Sequence, residues 1–97
     1  MNEKKIKKID VDIEKDAVEG IYSNFFWLMH SPSEFLIDFG RFLPGFQKPK
    51  VYTRIVMTPH HFKKFFNLLK ENLEKYESKF GEIVIKGEEH KDKPGFL

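Results

Sequence analysis

Four histidines, at positions 30, 60, 61 and 90, are the residues of this 97-residue chain best suited to hold a metal. Their spacing does not favour it. His60 and His61 are adjacent, so on a helix their side chains diverge by about 100°, whereas a chelating pair needs the i, i+4 spacing that shares one face. There is no HExxH pattern, and no cysteine to complete a ligand set. Ser23, Ser31 and Ser33 lie near His30 in sequence, with Asp38 following. Acyl transfer needs a serine hydrogen-bonded to its base and an oxyanion hole, and no GxSxG-type elbow supplies the turn. Ser31 and Ser33 flank Pro32 and read as turn residues. Glu34 and Asp38 on one strand would stand about 13 Å apart, too far for a glycosidase pair. The segment Leu43-Pro44-Gly45-Phe46 is a turn, not a phosphate cradle. The sequence assigns no catalytic residue, metal or cofactor, and the chain is expected not to be an enzyme.

Charge placement is more informative. Asp38 and Arg54 each interrupt an otherwise apolar strand with opposite sign, and are expected to form a cross-strand ion pair on the less buried sheet face. The alternative is a half-buried charge awaiting a ligand or a partner subunit. The start of the C-terminal helix carries His60, His61, Lys63 and Lys64, with Arg54 just upstream. Cations there oppose the helix dipole at a cost of about 0.3–1 kcal/mol each. His61 also stands where a capping-box acid would help. These five residues form a candidate anion-binding site for phosphate, nucleic acid or an acidic peptide. Against it, solvent screens Lys63 and Lys64. A third candidate, Tyr22, Phe25, Phe26 and Trp27 with Lys48 and Lys50, has the composition of a single-strand stacking platform. A run of five apolar residues (25–29) is more often core.

The elements that must position these residues follow from periodicity. Ile9, Val11 and Ile13 alternate with Asp10, Asp12 and Glu14, the period-two pattern of a half-buried strand. Residues 21–30 and 34–39 read as a hairpin closed by Ser31-Pro32-Ser33, and residues 40–50, with two glycines and two prolines, as a loop. Residues 51–57 form the next strand. Thr53, Ile55 and Met57 are expected on one face with Val51, and Tyr52, Arg54 and Val56 on the other, although a one-residue slip would suit this two-sided pattern. Thr58 is a good N-cap, Pro59 suits the first helical position, and Gly81 the left-handed stop. Phe62, Phe65, Phe66, Leu69, Leu73, Tyr76 and Phe80 recur at helical spacing between them. Residues 82–85 are expected to add a short strand. The fold class is α+β: an antiparallel meander of about four strands with one long C-terminal helix on one face.

With these elements placed, the patterns GIYSNFF, HSPSEFLIDFG, LPG, RIVMTPHHFKKF and LKENLEKYESKFGEI resemble the small bacterial and archaeal proteins grouped as domain-of-unknown-function family 3467. The most specific pieces are Tyr22-Ser23-Asn24, Glu34-Phe35 with Asp38-Phe39, Arg54-Ile55, Pro59, Lys63, Asn72, Tyr76-Glu77 and Phe80-Gly81. Phe65 is bulkier than the residue usual there. The resemblance covers roughly residues 9–85 and implies one domain of this architecture. It implies no activity.

Composition bounds the rest. Hydrophobic residues make up 40% and charged residues 33%, a folded protein rather than a disordered one. Eleven phenylalanines point to a core of aromatic volume. A net charge of +2 is too nearly balanced for a protein that binds nucleic acid through bulk charge. Zero cysteines exclude disulfides and fit a cytoplasmic setting, and Lys and Glu abundance against a single glutamine, Gln47, is a mild thermophile signature. The run 25–29 is far too short to span a bilayer. One domain is expected over residues 9–85, with a disordered basic arm (1–8) and polar tail (86–97). A helix of about 33 Å outruns a sheet some 15–20 Å wide. The chain is therefore expected to be a homodimer, with Leu36, Tyr52, Val56, Tyr76 and Phe80 as candidate contacts. The function expected is a small homo-oligomeric binding or scaffolding module with a possible protein partner. The alternative is a nucleic-acid- or anion-binding protein using the helix start.

Overall fold

The computed structural model describes residues 9–87. A 3-10 turn at Lys15–Ala17 precedes β1 (Phe25–His30), β2 (Phe35–Arg41) and β3 (Lys50–Met57), and a single helix α1 (Pro59–Phe80) follows. The strands form an antiparallel meander in the order β1-β2-β3. The chain is α+β as its periodicity requires, with three strands in the described sheet rather than about four. Residues 9–14 form no strand, and Ile9, Val11 and Ile13 stay exposed. Their alternation makes a strand only where a sheet face receives its apolar side, and the 3-10 turn ends the run first. Residues 82–85 form none either. Gly81, at φ +103°, redirects the chain, and the Ile83 N–H donates to Glu77 Oε2 at 2.9 Å, so that donor is lost to a ladder. The expected basic arm, residues 1–8, and the tail from residue 88 onward lie outside the described residues.

The register divides the sheet into two faces. One carries Phe26 and Leu28, then Phe35, Ile37 and Phe39, then Thr53 and Ile55. The other carries Phe25 and Trp27, then Leu36 and Asp38, then Arg54 and Val56. The β1–β2 hairpin closes through Ser31, whose Oγ accepts from the N–H groups of Ser33 and Glu34, while its own N–H donates to the Glu34 carbonyl. At the opposite end Asn24 extends the ladder with its side chain. Its Nδ2 donates to the Phe42 carbonyl at 3.2 Å, and its Oδ1 accepts from the Phe42 N–H at 2.8 Å. Ser23 Oγ donates to the Gly40 carbonyl at 2.9 Å beside it.

A bulge breaks the β2–β3 register. Phe39 pairs with Thr53 but Gly40 pairs with Val51, leaving Tyr52 as the extra residue. Strict alternation would place Tyr52 with Arg54 and Val56. The bulge instead sets its ring 4.7 Å from the Arg41 guanidinium and 5.6 Å from Lys50 Nζ, on a cavity it shares with Thr53 and Ile55.

Thr58 caps α1: its hydroxyl accepts from the His61 N–H at 3.3 Å, and its carbonyl from the Phe62 N–H at 2.9 Å. Pro59 occupies the first turn, where its missing N–H costs nothing. The Gly81 N–H closes the far end on the Glu77 carbonyl at 2.9 Å. The helix meets the sheet at its own start, where the Phe62 ring stacks on Phe35 with centroids 4.1 Å apart and planes 2° from parallel. No residue of α1 is buried. Phe25 and Ile37 are the only buried hydrophobic residues among those described.

Close approach at the bulge makes Gly40 irreplaceable. A Cβ there would collide with the Lys50 carbonyl and sit 2.9 Å from the Val51 Cα, both backbone. Gly40→Ala should lower the unfolding free energy by about 1–3 kcal/mol in a denaturant titration, the range for overpacked sites. An unchanged midpoint would show that this bulge does not set the register.

Candidate functional site

Asp38 and Arg54 face each other across β2 and β3. Arg54 Nε donates to Asp38 Oδ1 at 2.7 Å and its Nη2 to Oδ2 at 2.9 Å, the two-pronged geometry in which guanidinium and carboxylate match best. Asp38 is 4% exposed, while about half the arginine side chain reaches solvent. The arginine hydrogen bonds hold the Asp38 carboxyl below its usual range against the opposing effect of burial, with Coulomb attraction adding to the hydrogen bonds. Reciprocally, Asp38 raises the arginine further above its already high value. Arg54 is thereby committed within its own sheet.

That commitment bears on the helix start. Arg54 lies on the sheet face opposite the Phe35–Phe62 stack, apart from His60, His61, Lys63 and Lys64. Pro59 contributes no N–H, and Thr58 takes those of His61 and Phe62, which leaves the first turn little with which to hold an anion. The two imidazoles stand edge to face with centroids 5.4 Å apart, and His61 Nδ1 lies 3.2 Å from the Thr58 hydroxyl. The His30 ring instead lies 5.4 Å from that of Phe35. His90 is outside the described residues. Among the described residues no three His, Cys, Asp or Glu side chains come together. The aromatic run of β1 does not make one platform either, because Phe25 and Trp27 stack at 6.1 Å on one face while Phe26 meets Phe39 edge-on at 6.2 Å on the other.

Two features were not read from the sequence. A cavity of about 340 Å³ opens between residues 16–23 and the sheet, walled by Phe39, Tyr52 and Ile55 with Asp16 and Tyr22 opposite. Beside it Arg41 and Lys50, directly opposed in register, share the Tyr52 ring, and Arg41 Nε is buried without an acceptor. The bulge brings these groups together, and only an unsatisfied register at Gly40 could have signalled it.

The described residues leave a run of apolar side chains open. Along α1, Phe66, Leu69, Leu73 and Tyr76 are each about half exposed and Phe80 more so. On the sheet Tyr52 and Val56 are similarly open, and Leu36 is half-buried. The candidate contacts thus lie on two surfaces, the sheet and the distal helix, which the chain does not bring against each other. Among the described residues no helix is long and apolar enough to cross a membrane.

A three-stranded meander closed by a side-chain clamp, followed by one capped helix, defines a small α+β sheet-and-helix module. Residues 1–85 match the family described as "Protein of unknown function (DUF3467)", and the chain belongs to that family. No curated protein and no solved structure matches it. The residues most specific to the resemblance have structural work here: Ser23 and Asn24 clamp β2, Asp38 and Arg54 pair, Phe35 receives the helix, and Glu77 and Gly81 end it.

The pair should make stability pH-dependent in a defined sense. Because the folded Asp38 pKa lies below its unfolded value of about 3.9, its contribution is complete above that value and fades as pH falls through the folded pKa. Arg54→Ala would leave a buried carboxylate unpaired, a penalty that protonation relieves. The stability gap between wild type and Arg54→Ala should therefore be wide at pH 7 and close below about pH 4 in urea titrations. A gap independent of pH would remove the ion pair from the account.

Proposed function

We propose that this chain is a small homodimeric binding or scaffolding module that acts through assembly rather than catalysis, in a cytoplasmic setting that suits its lack of cysteine. The observation that carries this reading is the bare stripe of α1. A soluble helix draws most of its stability from packing an amphipathic face. Here that face is formed, capped at both ends and left open. Contiguous apolar surface of this kind on a small protein marks an interaction site. Two-fold self-association is the commonest way to cover it. The open sheet residues Tyr52 and Val56 supply a second surface on which a protein partner could be held.

Light scattering after size exclusion should give about twice the chain mass at micromolar concentration, with little change between low and high salt because the buried surface is apolar. Tyr76→Lys, and Leu36→Lys on the sheet, should shift the protein toward monomer or insoluble material. A mass of one chain at every concentration would refute the reading. Steeply salt-dependent binding of DNA or RNA to such a monomer would favour the helix-start alternative instead.

A further inference from the structure

Resting on the dimer reading, we infer that two copies pair through α1 as antiparallel helices, with a two-fold axis passing beside Glu71. The seam Phe62, Phe66, Leu69, Leu73, Tyr76, Phe80 advances by alternating steps of four and three residues, the a/d repeat of a coiled coil. The same residues are symmetric about Glu71, lying two, five and nine positions to either side. In an antiparallel pair each a residue meets a d residue of the other helix. Symmetry about position 71 therefore aligns Leu69 with Leu73, Phe66 with Tyr76, and Phe62 with Phe80, every pair occurring twice. A two-fold interface requires this self-complementarity, residue i on j and j on i. A parallel pair would instead stack each residue on its own copy.

Two further features favour the antiparallel sense. Lys63 and Glu77 fall on the same flank of the seam, and antiparallel packing sets each lysine across from the other copy's glutamate within about 3 Å along the axis. Lys70 meets its own copy near the axis, with Glu74 four residues on to offset it. The end layer also joins helix to sheet. Phe80, the most exposed of the six, reaches the Phe35–Phe62 stack of the other copy and extends it to three rings. Half-exposed side chains of this size leave roughly 100 Å² each to cover. The seam then buries about 1,000 Å² over both copies, the size at which specific interfaces begin.

The chain has no cysteine, so single-cysteine variants report on this geometry without background. Leu69→Cys and Leu73→Cys proteins, one carrying a mass tag, would be mixed and oxidised. The mixed disulfide should predominate over both same-variant disulfides. Same-variant disulfides in excess, or no cross-link in a protein that still scatters as a dimer, would overturn the antiparallel seam and leave the dimer standing. A monomeric wild type would overturn both. Should either variant fold poorly, charge reversal decides: Lys63→Glu should raise the dimer Kd several-fold, and adding it to Glu77→Lys, which by itself also loses the Ile83 contact, should lower the Kd of that variant instead of raising it. No change in Kd on Lys63→Glu, or the same loss whether or not Glu77 is already lysine, would count against the seam.

Discussion

An amphipathic helix of 22 residues must bury its apolar stripe somewhere, and the rest of this structure is arranged around that requirement. The sheet has three strands, about 10 Å between its outer strand axes, against a helix about 33 Å long. The sheet holds the helix near its start, through Phe62 on Phe35. Beyond that contact the helix has good caps, and among the described residues its apolar stripe stays largely exposed, with Phe65 half-buried beside Phe62. With Phe25 and Ile37 the only buried hydrophobic residues described, one chain gains little from burial to set against its ordering entropy. The proposed pairing of α1 would supply what one chain lacks, and the symmetry of the seam about Glu71 suits it to identical copies.

A sheet this thin needs its register fixed by means other than a large core. Polar groups do so at three points. Asn24 closes the ladder at the Phe42 end, Ser31 closes the hairpin, and the buried Asp38 locks β2 to β3 through Arg54. The bulge at Gly40 adds a steric constraint, because no side chain fits between it and Lys50. A one-residue slip of β3 would separate Asp38 from Arg54 and leave a buried carboxylate unpaired, at a cost well above that of a misplaced apolar residue. These constraints hold the sheet as the platform from which the helix departs.

The helix and hairpin were legible in the sequence because local chemistry specifies them. Thr58, Pro59 and Gly81 mark the helix ends, and Ser31-Pro32-Ser33 the turn, whatever surrounds them. The opposite charges on β2 and β3 were legible in the same way, since each breaks an apolar run. Less legible was whatever depends on a partner being present. The alternation in residues 9–14 describes an amphipathic strand but not the sheet edge it would need. Residues 82–85 are β-rich, yet the Glu77 carboxylate takes the Ile83 N–H first. Alternation places Tyr52 on a face that the bulge resets, so the cluster with Arg41 and Lys50 leaves no mark in the strand pattern. The cations gathered at the helix start are neighbours in sequence, but the sheet turns Arg54 to its other face.

On the proposed assembly, one chain does not complete its own fold. Thermal unfolding followed by circular dichroism at 222 nm, over about a hundredfold range of protein concentration, tests it most directly. If folding and association are one process, Tm rises steadily with concentration, because binding between copies stabilises the native state by mass action. A single transition with the same Tm at every concentration would show that the monomer is stable alone, and would contradict the account.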